Sequence, residues 1–271
     1  MSQATGAPPS PATSAVVHPQ GAADRSDSVS VARPQGDPRL RQLPLSVRLR
    51  DRALFASYLP GPNGLVIAQL VALAAQQRPG LVWLCGPEGS GKTHLLQALC
   101  AQAGDGARYV PLSQLVIFGP AALAEWQGAK WLCLDEVATV IGMPDWERAL
   151  FALYRDCEER GASLLMAARE APPQLPFALP DLASRCAAGL RMSLRALNDS
   201  EQLSALQLRA QQRGFELPDE TARYLQRRLP RDMSSLFVLL DDLDTAALAA
   251  QRRLTVPFIR EALALRAAGR A

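Results

Sequence analysis

Histidine, lysine and paired cysteine are the scarcest chemistry in this 271-residue chain. His18 and His94 are the only histidines, which argues against a two-histidine metal site and against a histidine-based triad. The cysteines, Cys85, Cys100, Cys133, Cys157 and Cys186, are odd in number and stand singly in apolar segments without a C-x-x-C. Neither a disulfide framework nor a zinc site is expected, and a reducing cytoplasm is the expected setting. No apolar run approaches the roughly 18 to 20 residues of a membrane span; Leu65–Ala75 is the longest and holds Gln69, so no transmembrane helix is expected. The first residues also lack a charged-then-apolar signal pattern. Charge of one sign is missing too: 29 Lys and Arg stand against 26 Asp and Glu, a net +3 that decides little. Residues 1–38 contain no aromatic, leucine or isoleucine and hold six prolines, so they cannot bury enough to offset ordering entropy and read as a disordered tail.

What is present is an alternation. Short apolar runs at Leu81–Cys85, Tyr109–Leu112, Trp131–Leu134, Leu164–Ala167 and Leu190–Leu194 predict five buried strands. Helix-length stretches at His94–Gln102, Leu123–Gln127 and Trp146–Arg160 lie between them, so the expected fold is α/β, a parallel sheet with helices on both faces. After Asn198 only helical spacing remains, at Asp199–Arg213, Asp219–Leu229, Arg231–Ala249 and Pro257–Ala268, which predicts a small all-α domain.

Gly86-Pro87-Glu88-Gly89-Ser90-Gly91-Lys92-Thr93 matches the phosphate-loop pattern G-x-x-x-x-G-K-[ST], placed after a strand and before a helix. The glycines let backbone N–H groups and the helix start face phosphate oxygens, Lys92 neutralises charge, and Thr93 offers a hydroxyl to magnesium. Only two lysines occur, Lys92 and Lys130, so a chain that uses arginine nearly everywhere keeps a compact point charge here. The run Trp131–Leu134 ends in Asp135-Glu136, where a carboxylate at a strand's end can face magnesium and its neighbour can act as a base toward water.

These residues resemble the AAA+ ATPases, and within them the DnaA-like branch and its Hda family of DnaA-homologous regulators. Four stretches carry the resemblance: Gln42-Leu43-Pro44-Leu45-Ser46-Val47, the phosphate loop, Leu179-Pro180-Asp181-Leu182-Ala183-Ser184-Arg185, and Gly214-Phe215-Glu216-Leu217-Pro218 with Arg231-Asp232-Met233. It implies a AAA+ core with a five-stranded parallel sheet flanked by helices, plus a C-terminal helical lid. Residues 1–38 are then a tail, 39–50 a clamp-binding segment, 51–197 the nucleotide-binding domain and 198–271 the lid. The resemblance makes Gln42–Val47 a docking peptide for the sliding clamp; packing of the same residues at the start of the folded domain is the other reading. It makes Arg185 an arginine finger acting in trans on a neighbour's ATP, and Arg231 a sensor-2 arginine reaching bound phosphates. The chain departs from the family at the sensor-1 position, where Met166-Ala167-Ala168-Arg169-Glu170 offers no Asp or Asn, so hydrolysis in its own site is expected to be weak or absent.

The DnaA initiator continues from its lid into a helix-turn-helix domain, and no such domain fits after Pro257-Phe258-Ile259. The segment from Asn198 carries 11 arginines against 10 acidic residues, without a basic stripe, so contact with DNA is expected only through the clamp. The expectation is a negative regulator of replication initiation that binds ADP or ATP with magnesium and, with the DNA-loaded clamp, stimulates hydrolysis of DnaA-bound ATP through Arg185. Two alternatives stand beside it: an autonomous AAA+ ATPase, such as a helicase loader, using Glu136 and Arg185 in a nucleotide-dependent homo-oligomer, and a non-catalytic clamp adaptor.

Overall fold

Strands buried on both faces read as continuous apolar runs, and the central strand here, β1 (Gly80–Cys85), is Gly-Leu-Val-Trp-Leu-Cys. The structure is a computed structural model that describes residues 53–76, 80–228 and 233–268. The expected tail over 1–38 and clamp-binding segment over 39–50 lie outside the described residues. β1 is joined by β2 (Ala107–Pro111), β3 (Trp131–Asp135), β4 (Ser163–Ala168) and β5 (Leu190–Ser193) in one parallel sheet of order β2-β3-β4-β1-β5.

The pleat divides the core in two. Trp83, Leu132, Leu134, Leu164 and Met166 point to the face covered by α4 (Pro144–Glu159) and α5 (Pro180–Ala188), packing on Leu150, Leu153 and Leu182. Val82, Leu84, Cys133, Leu165 and Ala167 point to the face covered by α1 (Gly64–Gln76) and α2 (Lys92–Ala103), against Leu70, Leu95, Leu96 and Leu99. In an open parallel sheet of this kind ligands bind beyond the carboxyl ends of the strands. There β1 runs into the phosphate loop, β3 into Glu136, and β4, which lies between them, into Arg169.

A separate helical layer follows β5. Asn198 caps α6 (Asp199–Gln212): its Oδ1 accepts from Glu201 N–H at 2.9 Å, while the Glu201 carboxylate accepts from Asn198 N–H at 2.8 Å. With α7 (Asp219–Arg228), α8 (Met233–Ala250) and α9 (Val256–Ala268) it encloses its own core around Leu206, Leu225, Leu240 and Ile259. Ion pairs of Arg209 on α6 and of Arg213, which follows its last residue, with Asp241 and Asp244 on α8 bind these two helices together.

The structure departs from the sequence expectations in four places. Leu112 does not end the second strand but opens the short α3 (Leu112–Leu115), since Pro111 closes the strand. Leu123–Gln127 is not an α-helix; Pro120–Trp126 forms 3-10 turns after Gly119, whose φ of 81° breaks the preceding helix. α1 and α5 were not expected. α1 is apolar around most of its circumference and lacks a clear periodicity, and α5 is a nine-residue helix whose signal is only Pro180 at its first position. Among the described residues no helix is long and apolar enough to cross a membrane, and all five cysteines are free.

Candidate functional site

The loop between β1 and α2 is shaped by its glycines. Gly89 and Gly91 take φ of 72° and 87°, a region that disfavours side chains. At Gly91 there is no room either, since a Cβ would lie 2.4 Å from Cε2 of Tyr58. Lys92 opens α2 and folds back over the loop, its Nζ donating to the carbonyls of Gly86 at 2.7 Å and Pro87 at 2.9 Å. Burial lowers the Lys92 pKa from its ordinary value, with Asp135 and Glu88 pulling the other way. Ser90 Oγ is buried and has no hydrogen-bond partner.

Across the mouth of this loop, β3 delivers Asp135. Thr93 Oγ1 donates to Asp135 Oδ2 at 2.6 Å and Tyr109 Oη to the same oxygen at 2.9 Å, while Glu136 N–H donates to Oδ1 at 2.9 Å. Burial raises the Asp135 pKa and these hydrogen bonds act against it. The Tyr109 phenol is raised by its own burial and by Asp135. Glu136 has a left-handed backbone, φ 55° and ψ 42°, and its exposed carboxylate accepts from the Ser113 hydroxyl. A non-glycine residue held in that region costs on the order of 1 kcal/mol.

A cleft of about 570 Å³ joins these groups to the helical layer. Its polar end is Glu88–Thr93 with Asp135, Glu136 and Arg169, and its apolar end is Ala53, Leu59, Leu197, Ala205, Met233 and Phe237. One end therefore suits phosphates and the other an aromatic base. The unpartnered Ser90 hydroxyl, the folded-back Lys92 and the ready Thr93–Asp135 pair fit a nucleotide with magnesium. Arg169, after the end of β4, lines the cleft wall, and a guanidinium has no acceptor with which to orient a water.

Three sets of expected residues are not among the described residues that line this cleft. Arg185 is exposed on α5 and does not line this cleft; its guanidinium lies 5.9 Å from the centre of the Tyr154 ring. Arg231 and the six residues Gln42–Val47 lie outside the described residues. Sequence reasoning missed Tyr58, which donates to the Ser90 carbonyl at 2.8 Å, and Arg209, which both line the cleft, as well as Tyr109 and Ser113, which hydrogen-bond to Asp135 and Glu136. No short motif marks them, because each reaches the site from a different element.

The comparisons with known proteins fit this layout. Residues 199–263 match the family model of the Hda lid domain. Domain III of the replication initiation protein DnaA of Thermotoga maritima superposes with a TM-score of 0.66 at 18% identity, over 77% of this chain and 94% of that one. Replication initiator DnaA bound to AMPPCP and single-stranded DNA gives 0.59 at 18%, over 71% and 66%. The Holliday junction branch migration motor RuvB of Thermotoga maritima gives 0.56 at 17%, over 78% and 73%.

Proposed function

Taking the chain as a DnaA-like AAA+ protein with an Hda-type lid, we propose that it is a negative regulator of replication initiation that stimulates hydrolysis of ATP held by DnaA. The observation that carries this reading is the pairing of that lid with an arginine, Arg185, exposed away from the chain's own phosphate cleft. Gly86–Thr93 would hold the phosphates of ADP or ATP, with Thr93 and Asp135 on the magnesium side and Arg231 reaching from the lid. Bound nucleotide supplies negative charge between core and lid, which fixes the angle between them.

The reaction belongs to the partner's site. A water oxygen attacks the γ-phosphorus of the ATP on DnaA, the bond to the β–γ bridging oxygen breaks, and ADP leaves. Arg185 donates to γ-phosphate oxygens as charge accumulates there, a contribution of 10³- to 10⁵-fold where such fingers have been measured. Gln42, Leu43, Pro44, Leu45, Ser46 and Val47 tether the protein to the DNA-loaded sliding clamp, with Leu43, Leu45 and Val47 as apolar anchors.

The test is conversion of labelled ATP to ADP on DnaA, with clamp loaded on DNA. Wild type is expected to accelerate it and Arg185→Ala to lose the acceleration, at unchanged ADP binding. Alanine at Gln42, Leu43 and Leu45 is expected to remove the dependence on clamp only. Absence of acceleration by the wild type refutes the reading. The exposed Glu136 beside Asp135 favours a second one, an autonomous ATPase assembling with copies of itself, whose turnover would rise steeply with protein concentration.

A further inference from the structure

α4 grips the segment that carries Arg185 at two points. Glu147, fully buried on α4, accepts N–H bonds from Gly142 at 2.6 Å, Ala178 at 3.0 Å and Leu179 at 2.5 Å, so its carboxylate pins the chain where α5 begins. Residues two turns apart share a helix face. Two turns along α4 is Tyr154, whose ring lies under the Arg185 guanidinium at 5.9 Å. The ring is itself held on both sides. Its hydroxyl donates to Glu158 Oε1 at 2.7 Å, one turn further along α4, and its face stacks on Phe151 with centroids 6.3 Å apart.

An exposed arginine samples many rotamers, and only a few can place a guanidinium on a phosphate of a docked protein. A ring that attracts the cation through its π face narrows that sampling before docking. Resting on the function proposed above, we propose that Tyr154 is a positioning residue for Arg185: an aromatic seat, stacked on Phe151, whose π face holds the finger in a reachable orientation. Tyr154 does not line the chain's own cleft, and its proposed role is exerted through Arg185, not through contact with either nucleotide. Its effect is therefore on the rate within the docked complex and not on docking or on nucleotide affinity.

Two measurements on the full chain test this, with Tyr154→Phe and Tyr154→Leu. In the protein alone, the Arg185 side-chain protons are expected to carry an upfield ring-current shift that Tyr154→Phe keeps and Tyr154→Leu loses. In the assay with DnaA and loaded clamp, Tyr154→Leu is expected to lower the plateau hydrolysis rate about fivefold at an unchanged half-saturating concentration, while Tyr154→Phe retains it. Leucine keeps an apolar side chain at this half-buried position without a π face, so a packing role alone would leave the plateau intact in both variants. No ring-current shift in the wild type overturns the seat. A shift together with equal plateaus in all three proteins overturns the positioning role. If the wild type shows the shift but accelerates nothing, the reading of the function fails, and the positioning role with it, while the seat stands as a structural feature.

Discussion

At the scale of single residues, the nucleotide cleft depends on positions where neither space nor backbone angle allows substitution. Gly91 combines φ of 87° with the Tyr58 ring against its α-carbon. Gly91→Ala is expected to weaken ADP binding at least tenfold by calorimetry, and trimming Tyr58 to alanine in the same protein should restore only part of the loss, because the backbone strain remains. His94, one residue beyond Thr93, joins α2 to the segment before α1: its Nε2 lies 3.0 Å from the Leu54 carbonyl and 3.2 Å from Ser57 Oγ. Burial holds its pKa below the ordinary 6.5 against the pull of that carbonyl. The folded protein thus keeps the ring neutral while the unfolded chain protonates it, so stability present above pH 6.5 drains away as pH falls through the folded value. Urea midpoints measured from pH 7 to 5 should drop more steeply for the wild type than for His94→Asn.

Elements differ in how plainly the sequence announces them. β1, β3 and β4 could be read because each is a nearly continuous apolar run, the mark of strands covered on both faces, whereas the edge strands β2 and β5 carry Arg108 and Arg191 and β5 is mostly exposed; the phosphate loop could be read because its chemistry demands fixed residues at fixed spacing. α5 could not, although it carries Arg185: a helix of nine residues shows little more than two turns of pattern, and its start is fixed by a carboxylate 32 positions upstream. Glu147 itself looks like one more charged residue on an amphipathic helix, and nothing local marks it as buried. Its three N–H partners give that burial a cause. Glu147→Gln replaces one accepting oxygen by a donor and should destabilise the fold by about 2 kcal/mol. By scanning calorimetry that is a fall in Tm of about 6 °C.

The molecule as a whole is joined at a knot that no motif announces. Asn63 is 2% exposed, and its Nδ2 donates to Tyr58 Oη and to the Arg195 carbonyl, both at 3.0 Å. Its Oδ1 accepts from Arg195 N–H at 2.8 Å. Through Tyr58 the same knot reaches the Ser90 carbonyl, so the entry segment, the phosphate loop and the link from β5 to the lid meet at one amide. Asn63→Ala should cost about 3 kcal/mol in urea unfolding, since it orphans buried backbone groups, and should weaken ADP binding in parallel.

That knot also makes the protein mechanically directional. Between Ala53 and Asn63 the entry segment is hooked to α2 through His94, to the phosphate loop through Tyr58, and to α6 through Gln212, whose amide donates to the Ala56 carbonyl at 3.1 Å. A pull on the chain upstream of Ala53, such as a tether under tension would exert, is borne first by the walls of the nucleotide cleft and only then by the sheet. On the function proposed above, a load on that segment would reach the loop that holds the phosphates before it reached the sheet.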